Sequence, residues 1–174
     1  MTEEIIKLTE DVELRTVALP DDDEFLQKVF ASTRDDVNQL PWDDTLKREF
    51  ILMQYRAQQA HYLEYYKDAK HYIVLFRGEP AGRHWIEYGP GDVRFVDMAI
   101  LPEFRGHGIG TVLFRDAFKH AKELGLPAVL HVMKEHRSIP MYKRLGFRIV
   151  GENGAHDRME WRPEYVNPEA DTAN

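Results

Sequence analysis

Stretches of alternating hydrophobic and polar positions are interleaved along the chain with stretches in which apolar residues recur every three to four positions. Alternation over Glu13-Leu-Arg-Thr-Val-Ala-Leu19 predicts a strand. Pro20 and the Asp21-Asp22-Asp23 cluster predict a turn whose acids suit a helix N-terminus, and a first helix is expected through about Arg34. Pro41-Trp42-Asp43-Asp44 is the next break. Leu46, Phe50, Met53, Ala57 and Ala60 then recur at helical spacing, predicting a long amphipathic helix that ends near Tyr66.

His71 to Phe76 and Ala81 to Tyr88 read as two strands, joined through Arg77-Gly-Glu-Pro80 as a hairpin. A third strand, Val93 to Leu101, is closed by Pro102. The helix expected from Gly108 to Leu124 places Ile109, Val112, Leu113, Ala117, Ala121 and Leu124 on one face and stops at Gly125 and Pro127. A strand Ala128 to Val132, a short helix ending at Leu145-Gly146, a strand Phe147 to Val150 and a last strand Arg158 to Trp161 complete the pattern. This order predicts an α/β (α+β) fold with a mixed sheet rather than a regular βαβ wind. Residues 1–162 are expected to form one domain, and the polar residues 163–174, with two prolines, a loose tail.

Composition narrows the class. A chain of 174 residues can bury a core unaided, and with no cysteine it is neither a disulfide scaffold nor a Cys-ligated metal module, and it has no Cys nucleophile. No apolar run approaches the roughly 20 residues of a membrane helix. The N-terminus MTEEIIKLTED has acids where a signal peptide would be basic, so the expectation is a soluble, cytoplasmic protein with no membrane partner. The eight histidines show no metal-ligand spacing, and no metal is expected.

The net charge of −7 is unevenly spread. Residues 1–24 hold nine acids against two bases, residues 149–174 hold six against two, and residues 102–148 hold nine bases against four acids. A phosphate-bearing ligand is therefore compatible with the middle of the chain. The acidic termini and the lack of a basic stripe with interleaved aromatics argue against nucleic acid.

The informative segment is Met98-Ala-Ile-Leu-Pro-Glu-Phe-Arg-Gly-His-Gly-Ile-Gly-Thr111, a strand end, a proline stop and a glycine-rich helix start. Such a loop lets the backbone approach a ligand closely and offers unpaired N–H groups at the positive end of a helix, a combination that binds phosphate. A Walker loop would need a lysine before Thr111, and a dinucleotide fingerprint would place the third glycine one residue later.

Arg105-Gly106-His107-Gly108-Ile109-Gly110 after a hydrophobic strand resembles the R/Q-x-x-G-x-G/A signature of the GNAT family of N-acetyltransferases. Tyr142-Lys-Arg-Leu-Gly-Phe147 is similar to a second element of that family, and the resemblance covers about residues 70–162. Glu135 and Ser138 stand where the family often has Asn and Ala; Pro140 suits only a first helical turn, so Ser138 is expected to be the N-cap.

The resemblance implies a GNAT-like single domain with a mostly antiparallel sheet whose strands splay around acetyl-CoA. It implies that Met98, Ala99, Ile100 and Leu101 flank the pantetheine arm and that Arg105, Gly106, His107, Gly108, Ile109, Gly110 and Thr111 hold the pyrophosphate. Ser138 and Lys143 belong to the same expected cofactor set, and Arg137, Lys143 and Arg144 are candidates for the 3′-phosphate. Tyr142 is the implied donor to the departing thiolate. Asp97, a charge within an apolar strand, is the candidate base, with a water relay as the alternative. The acceptor would be an amine of a small molecule or peptide, for which the aromatic and polar density of Gln54, Tyr55, Gln58, His61, Tyr62, Tyr65 and Tyr66, with Trp42 and Trp85, is suited, although such stripes more often build core or dimer interface. A homodimer is compatible with the fold, and a non-catalytic CoA-binding sensor is the rival expectation.

Overall fold

The computed structural model describes residues 5–166. Its strands are β1 (Ile5–Lys7), β2 (Val12–Thr16), β3 (Lys70–Phe76), β4 (Glu79–Tyr88), β5 (Val93–Ile100), β6 (Ala128–Met133), β7 (Arg148–Asn153) and β8 (His156–Trp161). Its helices are α1 (Asp23–Ala31), α2 (Asp35–Asn38), α3 (Asp44–Tyr65), α4 (Ile109–Leu124) and α5 (Ile139–Arg144). The strands lie in the order β1-β2-β3-β4-β5-β6-β8-β7 in one open sheet, an α/β arrangement that is mostly antiparallel and flanked by helices.

Contacts divide the described residues into two compact units, 5–85 with 97–112, and 86–96 with 113–166. In the first, β2 pairs antiparallel with β1 and with β3, the latter from Val12↔Phe76 to Thr16↔Tyr72. Its core joins Leu26 and Phe30 of α1, Val37 of α2, Ile51 and Tyr55 of α3, and Ile73 and Leu75 of β3, all buried. Asp43 caps α3 by accepting from the Leu46 N–H at 2.9 Å, as its place before the helical pattern requires.

Arg77 (φ 53°) and Gly78 (φ 82°) both take left-handed backbone, making the β3–β4 connection a two-residue turn of the kind that matches strand twist. Glu79 and Pro80, expected in the turn, already belong to β4. Gly82 is demanded by packing: a Cβ there would stand 2.3 Å from the Ala99 carbonyl oxygen of β5.

In the second unit β5 and β6 run parallel over Val93↔Ala128 to Phe95↔Leu130, and β8 pairs antiparallel with both β6 and β7. Phe118 stacks on Trp161 at 4.1 Å and 8°, and Phe114 packs on Phe95 and Phe147 at 4.6 and 5.7 Å. Three expectations change. The first helix stops at Ala31 and a separate short helix, α2, follows, because Ser32 and Thr33 turn their hydroxyls back onto the Val29 and Phe30 carbonyls. Pro163–Tyr165 form a 3-10 turn instead of a loose tail, held by the Tyr165 hydroxyl on Glu160 and by Arg148 over the Tyr165 ring at 4.2 Å; residues 167–174 of the expected tail lie outside the described residues. The short strand β1 has no counterpart in the pattern reading. Among the described residues no helix is long and apolar enough to cross a membrane.

Candidate active site

The glycine loop is assembled from its own side chains. The Leu101 N–H donates to the Ala81 carbonyl at 2.9 Å, ending β5, and Pro102–Phe104 make one 3-10 turn. Arg105 Nε then donates back to the Ile100 carbonyl at 2.9 Å, and His107 Nδ1 lies 3.1 Å from the carbonyls of Phe104 and Arg105, so that nitrogen carries the proton. The His107 ring packs on Phe76 at 5.2 Å, and Val29, Ala99 and Leu101 form a small buried cluster beside Phe104.

Gly106 (φ 82°) and Gly108 (φ 75°) hold left-handed backbone with nothing within 4 Å of where a Cβ would stand, so the space over the loop is open. The first α4 bond runs from the Val112 N–H to the Gly108 carbonyl at 3.1 Å. The N–H groups of Ile109, Gly110 and Thr111 precede that first bond, at the positive end of a 16-residue helix. Open space beside N–H groups at a helix start suits a phosphate group such as the phosphate end of coenzyme A. Gly110 differs from the other two: a Cβ there would make ordinary contact with Met98 Cε at 3.9 Å, so its own surroundings do not require a glycine. Ile109 is buried at 2% exposure and anchors the helix; it reaches a ligand only through its backbone.

Asp97 lies on the β5 face opposite Met98 and Ile100, and on that face it meets Arg83 of β4. Arg83 Nη2 is 2.5 Å from Asp97 Oδ2, and the same nitrogen donates to Gln58 Oε1 of α3 at 2.8 Å. Arg83 is 2% exposed and its guanidinium lies 5.6 Å from the Phe30 ring centre. Nearby, burial pushes the Tyr62 phenol well above its usual range, with the Asp97 charge adding to the effect. The Arg83–Asp97 pair was not legible from sequence, although a charge at the parity of Trp85 inside an apolar strand is a signal for it.

A cavity of about 190 Å³ is walled by Asp23, Tyr55, Gln59, His71 and Trp85, with Leu19, Arg56 and Leu63 also lining it. Trp85 stacks on His71 at 4.0 Å and 37°, and Tyr62 packs on Trp85 at 5.3 Å. Burial holds the His71 imidazole down at about 3, with the Arg83 charge contributing, so the ring is neutral near pH 7. Tyr55 and Trp85, expected beside an acceptor, are here. Trp42 is not: it packs edge-on against Phe50, and His61 and Tyr65 pair on an exposed stretch of α3. Asp23, Gln59 and His71 were not singled out from sequence, since nothing in the local pattern marks residues brought together from three elements.

Tyr142 belongs to the second unit. Its ring packs edge-on against Phe114 and Phe147 at 5.7 and 6.1 Å. The Phe147 N–H donates to the Tyr142 carbonyl and the Gly146 N–H to the Lys143 carbonyl, both at 3.0 Å, with Gly146 at φ 98°. This is a Schellman closure, and it explains why Leu-Gly-Phe follows the tyrosine. Ser138 does sit at the N-cap of α5, but its side chain caps nothing; its N–H donates to His136 Nδ1 at 3.2 Å. Glu135 takes φ 63°, a conformation asparagine accepts more easily than glutamate. Arg137, Lys143 and Arg144 are exposed. Among the described residues no cluster of three or more His, Cys, Asp or Glu is arranged to hold a metal.

The sequence profile of the Acetyltransferase (GNAT) family matches residues 34–147. Mycothiol acetyltransferase of Propionibacterium freudenreichii subsp. shermanii is 33% identical over 79 residues, 42% of this chain and 25% of that protein, so the chain spans well under two thirds of that relative. The fold is similar to that of the PaiA N-acetyltransferase from Thermoplasma acidophilum in complex with coenzyme A (TM-score 0.66, 17% identity, 87% of this chain and 98% of that one). It is also similar to the ribosomal-protein alpha-N-acetyltransferase RimL (TM-score 0.63, 18% identity, 92% and 94%). A profile match over more than half of the chain, on a fold that these structures share, makes this protein a member of the GNAT family of acetyltransferases.

Proposed function

We propose that the protein transfers the acetyl group of acetyl-CoA to an amine of a small molecule or peptide. The observation that carries this reading is the open loop at Arg105 to Thr111, in which two left-handed glycines with nothing within 4 Å of a Cβ position lead into α4, whose first N–H groups have no partner within the helix. The donor supplies a thioester. The amine nitrogen attacks its carbonyl carbon directly, the C–S bond breaks as the C–N bond forms, one amine proton leaves and the departing thiolate takes up a proton.

In this chain Tyr142 is the group assigned to the thiolate, on its place before the Leu145-Gly146-Phe147 corner. Asp97 remains a candidate for the amine proton, but its ion pair with the buried Arg83 gives it a positioning role in its own right. Lys143, Arg144 and Arg137 are exposed cations available to a 3′-phosphate.

The test is release of free thiol from acetyl-CoA over a panel of amines, amino-acid amides and short peptides. Amine-dependent release supports transfer. Acetyl-CoA binding with no release across the panel would instead identify a CoA-binding sensor.

A further inference from the structure

The two carboxylate oxygens of Asp97 have different surroundings. Oδ2 has no accessible surface and stands 2.5 Å from Arg83 Nη2, whereas the Asp97 side chain as a whole is 21% exposed. Oδ1 keeps accessible surface and meets no donor among the described residues, so it is the oxygen left open to a ligand. Arg83 fixes this division. Its side chain is 2% exposed, its Nε and Nη1 are buried without partners, and both of its polar contacts, to Asp97 and to Gln58 Oε1 of α3 at 2.8 Å, are made through Nη2.

A buried ion pair with two guanidinium nitrogens left unsatisfied repays its desolvation poorly, so folding stability does not account for it. What it achieves is orientation: Gln58 holds the guanidinium, the guanidinium holds Oδ2, and Oδ1 is left outward. The Asp97 charge is not cancelled by this partner. At Tyr62, whose phenol is pushed up chiefly by burial, the Asp97 charge raises it further by more than the Arg83 charge lowers it. A charged, accessible and unpartnered carboxylate oxygen accepts most strongly from an N–H that carries positive charge, and gains less from a neutral hydroxyl in the same place.

We infer that Asp97 Oδ1 receives the ammonium group of the acceptor, and that Arg83 and Gln58 are positioning residues that aim it, so the acceptor docks as a cation. The inference rests on the acetyltransferase reading for calling that amine the acceptor, but the docking itself is read by binding alone.

The experiment compares, by titration calorimetry on the full chain with coenzyme A present, L-alaninamide and L-lactamide, which carries a hydroxyl in place of the ammonium. At pH 7 alaninamide is expected to bind about 10-fold tighter than lactamide. In Asp97→Asn the two bind alike. Arg83→Met with Asp97→Leu, which leaves no buried charge, shows the same loss of preference and serves where Asp97→Asn does not fold. Gln58→Leu frees the guanidinium but keeps the carboxylate, and is expected to reduce the preference to about 3-fold while lactamide and coenzyme A bind as to the unmodified protein. Equal or undetectable binding of the two amides by the unmodified protein, or a preference that survives loss of the Asp97 carboxylate, overturns the docking role. A preference unchanged in Gln58→Leu overturns the positioning role. Absence of thiol release with any amine would count against the proposed activity while leaving the binding result to judge Asp97.

Discussion

Arg83 Nη2 stands 2.5 Å from Asp97 Oδ2, and the arginine is almost wholly buried between the sheet and the ring of Phe30. A guanidinium in such a place depends on its counter-charge. Asp97→Asn leaves that charge unpaired and is expected to lower stability by about 3 kcal/mol in chemical denaturation. Replacing both partners, Arg83→Met with Asp97→Leu, is expected to restore most of it. If Asp97 is also the base, activity per folded molecule falls in Asp97→Asn well beyond the loss of folded protein.

Gly108 occupies φ 75° under open space, whereas Gly110 needs no special backbone. Gly108→Val is expected to weaken acetyl-CoA binding at least 10-fold, by straining the loop and by placing a side chain where the phosphates approach, with about 1–2 kcal/mol of lost stability. Calorimetric titration with coenzyme A checks this. Unchanged affinity would remove the cofactor from this loop. Gly110→Ala should bind nearly as well as the parent.

Tyr142→Phe keeps the ring contacts with Phe114 and Phe147 and removes only the hydroxyl. On the proposed role, kcat for thiol release falls roughly 100-fold while coenzyme A affinity is retained. A kcat unchanged within a factor of two would reduce Tyr142 to a packing residue.

His71, half-buried, and His84, buried, are held neutral by desolvation, at about 3 and about 4, both below the usual histidine value of 6.5. The unfolded chain therefore binds more protons than the folded one below pH 6.5. Stability is full above that value and falls as the pH drops toward 4, by up to about 1.4 kcal/mol per pH unit for each histidine. Thermal unfolding between pH 7.5 and 4.5 reads this directly, and His84→Gln is expected to flatten the slope.

Gly82→Ala would place a methyl 2.3 Å from a backbone oxygen of the neighbouring strand. Because backbone cannot swing away as a side chain can, the expected loss is about 1–3 kcal/mol in denaturant midpoint measurements.

The elements that a linear pattern can express were legible: the long helix α3, the β3–β4 hairpin, the glycine loop opening α4 and the tyrosine before Leu-Gly-Phe. Their signals are local, because turn chemistry and periodicity act over a few residues. The break between α1 and α2 was missed because it depends on the Ser32 and Thr33 hydroxyls bonding back to α1 rather than on any proline or glycine. Ser138 was placed correctly at a helix start, yet side-chain capping depends on a rotamer that sequence does not specify.

By itself the sequence determined the order of the elements from β2 onward apart from α2, the glycine-rich turn that opens α4 and the absence of cysteine chemistry, since each follows from residue identity and short-range spacing. Only the tertiary structure decided that Asp97 meets Arg83, that Gly82 must lack a side chain, and that Asp23, Tyr55, Gln59, His71 and Trp85 wall one cavity. Those relationships join residues far apart along the chain, and the Tyr55 hydroxyl meets its acceptor only once folding brings Asp23 of another helix beside it.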